Sequence, residues 1–99
     1  MSNVDWWVHE VSYDDDHSRI VSVKAKPVIE GRLGADQIQT RQTVVAAIIS
    51  GRVYWTMVLK DGKWVSGAKI EVVPIESEQF LKTEPNNVKE DNLGELPEF

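Results

Sequence analysis

The chain offers one good stretch of helical spacing, and that stretch is too short to stand alone. Thr40 is placed to cap it with its hydroxyl, Arg41 to Ser50 carry it forward, and Gly51 suits a left-handed stop. Val44, Val45, Ile48 and Ile49 form a stripe on one face, with the small Ala46 and Ala47 beside it. A helix of about two and a half turns is marginal in water, so it needs a sheet to lie on. The rest of the chain has to supply that sheet.

It carries the patterns to do so. Residues 5–13 are rich in aromatic and β-branched types and predict a first strand. Val8 and Val11 have opposite parity, so both face a core only if a bulge lies near His9–Glu10. Asp14 to Ser18 make a polar turn. Residues 19–26 predict a second strand, with Val21, Val23 and Ala25 inward and Ser22, Lys24 and Lys26 outward. Pro27 lacks a ladder donor and belongs at a strand end or an edge. Residues 27–37, punctuated by Gly31 and Gly34, predict a loop.

After the helix, Arg52 to Lys60 predict a third strand with apolar residues on both sides: Val53, Trp55, Met57 and Leu59 against Tyr54 and Val58. Such a strand is central, or its sheet curls. Asp61-Gly62 is a hairpin signal, followed by a return strand over about 64–75 with a break at Ser66-Gly67. Gln79 to Thr83 fit a short fifth strand. The order ββαβββ predicts an α+β fold: one curved, mostly antiparallel sheet, a half-barrel, with a single short helix packed on it. Residues 1–83 are expected to form one domain, and 84–99 an extended tail packed on that domain or on a partner chain.

Ninety-nine residues suffice for one domain with a real core. There is no cysteine, which excludes disulfides, zinc–thiolate sites, iron–sulfur clusters and cysteine nucleophiles. The longest uncharged apolar run is Val44 to Ile49, too short for a membrane span. Met1 to Asp5 lack a basic segment leading into an apolar one, so the expected location is cytoplasmic. The net charge of -5 is uneven: residues 1–70 are nearly neutral, and residues 71–99 set eight acids against Lys82 and Lys89.

A family resemblance rests on motifs spread along the chain. Tyr13-Asp14-Asp15 follows the first strand, and Thr40-Arg41-x-x-Val44-Val45-x-x-Ile48-x-x-Gly51 marks the helix. Then come Gly67-Ala68-x-Ile70-x-Val72, Phe80-Leu81-Lys82-Thr83-x-Pro85-Asn86 and the closing Asp91-Asn92-Leu93-Gly94-x-Leu96-Pro97-x-Phe99. Together they resemble a small bacterial family of stand-alone proteins, the domain of unknown function 3892 family. The closing motif is the most specific part. The resemblance implies a compact cytosolic domain and brings no activity with it.

Each candidate constellation has a plainer counterpart. Asp14-Asp15-Asp16-His17, with His9 across the hairpin, offers ligands for a hard cation but lacks the alternate spacing of a calcium loop, and reads better as a solvated turn. Gly31-Arg32-Leu33-Gly34 has the glycine spacing of a backbone-clamping RNA loop without the flanking helices, and reads better as a flexible connector. Four tryptophans are many for this length; by strand parity Trp6 and Trp7 face opposite ways, as do Tyr54 and Trp55. No catalytic motif is visible, and no cofactor or metal site is expected.

The expected function is therefore a small non-enzymatic binding or interaction domain, with a second copy (a homodimer) or another protein as partner and no membrane. Its candidate surface is Trp6, Trp64, Leu93, Leu96 and Phe99. The alternative is a nucleic-acid-related accessory protein using a modest basic stripe of Arg19, Lys24, Lys26, Arg32 and Arg41. A small enzyme is the third reading.

Overall fold

The computed structural model describes residues 4–84, 88–94 and 96–99. Pro85 and Asn86 of the motif above, and the first three residues of the N-terminal segment that lacks an export pattern, lie outside the described residues. The element order is β1 (Trp6–Tyr13), β2 (Ile20–Ile29), β3 (Arg32–Leu33), β4 (Gln37–Thr40), α1 (Arg41–Ile49), β5 (Tyr54–Lys60), β6 (Lys63–Lys69), β7 (Glu71–Ile75) and β8 (Glu78–Lys82). The main sheet has the order β3-β2-β1-β5-β6, with β4 also beside β2, while β7 and β8 form a separate ribbon. The fold is α+β, a curled sheet with one short helix, as the patterns predicted. Its pairing is mixed, because β1 and β5 run parallel.

Two stretches differ from expectation. Residues 27–37 are largely ordered as strand: β2 continues through Pro27 to Ile29, turns at Glu30-Gly31 with φ of 51° and 79°, and returns as β3 before β4 begins. Pro27 is tolerated inside β2 because Val28 makes the bond to Asp5 O of the neighbouring chain segment, leaving the proline nitrogen on the other side. The return strand predicted over 64–75 is two strands in different sheets. They divide at Ile70, whose N–H donates to Tyr54 O at 2.8 Å.

The register of β1 resolves its parity conflict. Val8 pairs with Ala25 and Glu10 with Lys24, so His9 is the extra residue of a bulge and Val11 returns to the core side. Val8, Val11, Val23 and Ala25 are all fully buried. A second shift pairs Ser12 with Ser22 and Tyr13 with Ile20. It skips Val21, which is 54% exposed while Ile20 takes the core position, correcting the inward placement expected for Val21.

One face of the sheet is covered. Val44 of α1, Ile70, Leu81, Leu93 and Leu96 close over Val8, Val11, Val23 and Tyr54. The helix starts at Thr40, whose Oγ1 accepts from Thr43 N, and ends where Gly51 (φ 103°) and Arg52 donate to Ile48 O and Ala47 O. Ile49 of the predicted stripe points to solvent. The tail reaches the sheet beside β1, with Val11 N donating to Pro97 O and Phe99 N to Val11 O, each at 3.0 Å.

Candidate binding trough on the open face of the sheet

Strand alternation sends a second set of side chains to the opposite face. From β1 these are Trp7, His9 and Glu10; from β2 Lys24, Lys26 and Val28; from β5 Trp55, Met57 and Leu59; from β6 Trp64 and Ser66. The layer formed by α1, the β7–β8 ribbon and the tail packs on the other side. Because the sheet curls, β3 and β6 at its two ends flank a hollow of about 560 Å³. Trp7, Val28, Leu33, Met57 and Trp64 line it, with Arg32 as the one charged residue among the described lining residues. Trp64 also borders a second hollow of about 340 Å³, next to His9, Glu10 and Pro97.

These walls are fixed by their neighbours. Trp7 packs against Trp55 with ring centroids 6.2 Å apart, and Met57 beneath them is only 3% exposed. Trp64 meets the His9 ring edge-on at 5.1 Å. His9 is itself buried, and its Nε2 donates to Asp36 Oδ1 at 2.9 Å, where Lys26 Nζ also binds at 2.8 Å. The Lys26 ammonium, then the His9 bond, hold the Asp36 carboxyl below its ordinary range. Glu10 lies 3.5 Å from Lys24 Nζ and 3.6 Å from His9 Nδ1. The bulge therefore does local work: by adding a residue it turns both His9 and Glu10 toward the lysines of β2.

The residues expected to form an interaction surface do not lie together. Trp64 borders the trough and is 42% exposed. Trp6 faces the covered side, stacked on Tyr54 at 6.1 Å. Leu93 and Leu96 are core residues of their own chain, unavailable as a surface, because burial within the domain removes them from water first. Phe99 is partly exposed, with Lys24 Nζ over its ring at 5.1 Å.

The expected basic stripe is likewise divided. Lys24 and Lys26 share the open face, each held by a carboxylate, and Arg32 stands at the hollow. Arg19 pairs with Glu78 over Phe80, and Arg41 pairs with Asp91. Local ion pairs thus absorb four of the five charges, which corrects the single stripe read from the sequence. The Asp14–His17 turn serves structure: Asp14 Oδ1 accepts from Ser18 N and Arg19 N, while His17 bonds Glu98 rather than approaching His9. Among the described residues no three His, Cys, Asp or Glu side chains converge as metal ligands, and no helix is long and apolar enough to cross a membrane.

Met57 and Asp36 are the site residues that sequence reasoning did not single out, while His9 entered it only as a cation ligand and Trp7 only as one of several strand aromatics. Parity had placed Trp55 and Met57 on one side of the third strand. That side becomes a site because the helix takes the other. Gly31-Arg32-Leu33-Gly34, expected to be a flexible connector, is the turn and return arm of a hairpin, fixed by Gly34 N donating to Pro27 O at 2.7 Å.

The family model described as a protein of unknown function (DUF3892) matches residues 7–97. No curated protein and no solved structure matches the chain.

Proposed function

This chain belongs to the DUF3892 family, and we propose that it is a small, non-enzymatic binding domain that acts through the open face of its sheet. One observation carries this: a preformed trough walled by Trp7, Met57 and Trp64 on the face that the helix and tail leave uncovered. Tryptophan offers a wide apolar contact with a polar edge, and methionine adapts to irregular shapes. The cytoplasmic setting is part of the proposal and rests on a chain without cysteine. The nucleic-acid alternative loses support because most of its cations already have carboxylate partners, while phosphate binding needs several that are available.

The test compares wild type with Trp7→Ala and Trp64→Ala in cell extract, read by co-purification, native mass spectrometry and sedimentation. A molecule retained by the wild type, whether small, macromolecular or a second copy, is expected to be lost from both folded variants. Equal retention by all three proteins, or turnover of a small molecule by the wild type, overturns the proposal.

A further inference from the structure

We infer that the free edge of β6, which forms one wall of the trough, takes an extended acidic segment of another protein as an added strand. This rests on the binding role proposed above and adds the class of partner. Among the described residues β6 ends the main sheet and pairs only with β5. The opposite end is split between β3, two residues long, and β4, which runs directly into α1. β6 is thus the longest end strand of that sheet, and every residue in it but Ala68 is exposed.

The hairpin turn fixes which backbone groups point outward. Asp61 and Gly62, with φ of 51° and 77°, form a two-residue turn, so Lys60 and Lys63 are the bonded pair beside it. Bonded and non-bonded pairs alternate along an antiparallel ladder. Leu59–Trp64 and Met57–Ser66 are therefore non-bonded, and the N–H and C=O groups of Trp64 and Ser66 face away from β5. Beyond them, Gly67 and Ala68 together oppose Thr56 and end the regular stretch. A strand added here satisfies both groups of each residue. Its side chains opposite Trp64 and Ser66 stand on the open face and extend the trough wall.

Charge selects the partner. Lys60, Lys63 and Lys69 bracket this edge, are exposed, and enter no ion pair among the described residues, whereas Arg19, Lys24, Lys26 and Arg41 all do. Asp61, in the turn, is the one acid between Arg52 and Ile70. Lysines on an end strand guard it against pairing with a like edge. The same charge disfavours a second copy, which brings its own lysines, and favours a strand that carries Asp or Glu. Trp64 and Val65, 42% and 41% exposed, offer apolar contact on the two faces of the added strand. Trp64 is already held in place by the His9 ring, so little ordering cost opposes that contact.

The probes are the labelled peptide acetyl-Glu-Val-Thr-Val-Thr-Val-Glu-amide and its counterpart with lysine at both ends. Each is titrated with the full chain and followed by fluorescence anisotropy at low and high salt, with amide hydrogen exchange read at Trp64 and Ser66. The acidic peptide is expected to bind roughly tenfold more tightly than the basic one at low salt, a preference that shrinks as salt rises. It should also slow exchange at both amides. Ser66→Pro removes an outward donor without touching the bonds to β5, and should weaken binding with the fold retained. Lys63→Glu combined with Lys69→Glu should reverse the preference, a readout that stands whether or not the proline variant folds. Equal binding of the two peptides, binding of the acidic one without protection of Trp64 and Ser66, or a preference that survives charge reversal overturns the proposal. Concentration-dependent dimerisation that protects the same amides overturns it in favour of a second copy. The binding role is read separately: a molecule retained from extract by the wild type and lost from Trp7→Ala leaves that role standing even where the peptides fail.

Discussion

Arg41 grips Asp91 with a fork, Nε to Oδ2 at 2.6 Å and Nη2 to Oδ1 at 3.0 Å. The Asp91 side chain is fully buried and also accepts from Ile20 N and Leu81 N, each at 2.8 Å. One carboxylate thus joins the first residue of α1, the start of β2, strand β8 and the tail. The bond raises the Arg41 pKa further above an already high ordinary value.

Asp91→Asn replaces two accepting oxygens by one and leaves a guanidinium and backbone donors without full partners. Breaking a buried pair in this way costs about 3–5 kcal/mol. Urea denaturation should show the loss. A midpoint equal to the wild type's would remove Asp91 from this role.

The tail should divide in energy between Leu96 and Phe99. Leu96 is 8% exposed and Phe99 is 43% exposed, so Leu96→Ala should cost about 2 kcal/mol or more and Phe99→Ala well under that. Asn92 Oδ1 accepts from Gly94 N, and Gly94 itself has φ 81°, which sets the turn that brings Leu96 inward. Equal losses at Leu96 and Phe99, by thermal melting, would contradict this division.

Tyr54 supplies a pH dependence. Burial pushes its hydroxyl up to about 12, with the Gln39 hydrogen bond acting in the other direction. A tyrosine in the unfolded chain ionises near ~10. Tyr54 therefore contributes stability that is fully present below that value and is lost as pH rises through about 12. The loss is of the order of 2–3 kcal/mol, and Tyr54→Phe should abolish this part of the alkaline dependence. Tyr13 is also raised, chiefly by burial, so tyrosinate absorbance should appear late in the native protein. A normal tyrosinate midpoint in a chain still folded by circular dichroism would contradict both assignments.

How far the sequence discloses this structure depends on whether a feature is local. The helix was legible because its cap, stripe and stop lie within Thr40 to Gly51, and the bulge because Val8 and Val11 conflict within one strand. The division at Ile70 was hidden, since Ala68, Ile70 and Val72 keep one alternation straight across it. The trough was hidden for a related reason. Both sides of β5 are apolar, and only the docking of α1 decides which side becomes core. Asp36 lay in a segment read as loop, so its bonds to His9 and Lys26 had no local signal.

Gly67 is required by close approach rather than by backbone angle. A Cβ there would sit 2.2 Å from Thr56 Oγ1 and 3.2 Å from Thr56 O. Thr56 cannot yield freely, because its Oγ1 accepts from Ala68 N at 3.0 Å. Gly67→Ala should cost about 1–3 kcal/mol, as overpacking does. In a Thr56→Ala background the added cost should shrink, because the nearest clash is gone. Additive losses in that double-mutant cycle would exclude the contact as the cause.

The bulge at His9 makes the sharpest claim about register. With His9 removed, Trp7, Val8, Glu10 and Val11 alternate without interruption, and Val8 and Val11 remain on the core side. On the opposite edge of β1, β5 pairs only as far as Val8, and the tail joins at Val11. The deletion therefore falls in the gap between those two partners and breaks neither ladder. What it removes is the bond to Asp36 and the edge contact with Trp64, a loss of about 1–2 kcal/mol. Deleting Lys24, across from the bulge, has the opposite consequence: it sends Val23 and Ala25, both fully buried, to different faces. The His9 deletion should unfold cooperatively near the wild-type midpoint, and the Lys24 deletion should not fold. The reverse ranking by circular dichroism and urea titration would show that the bulge is not an inserted residue in an otherwise regular strand.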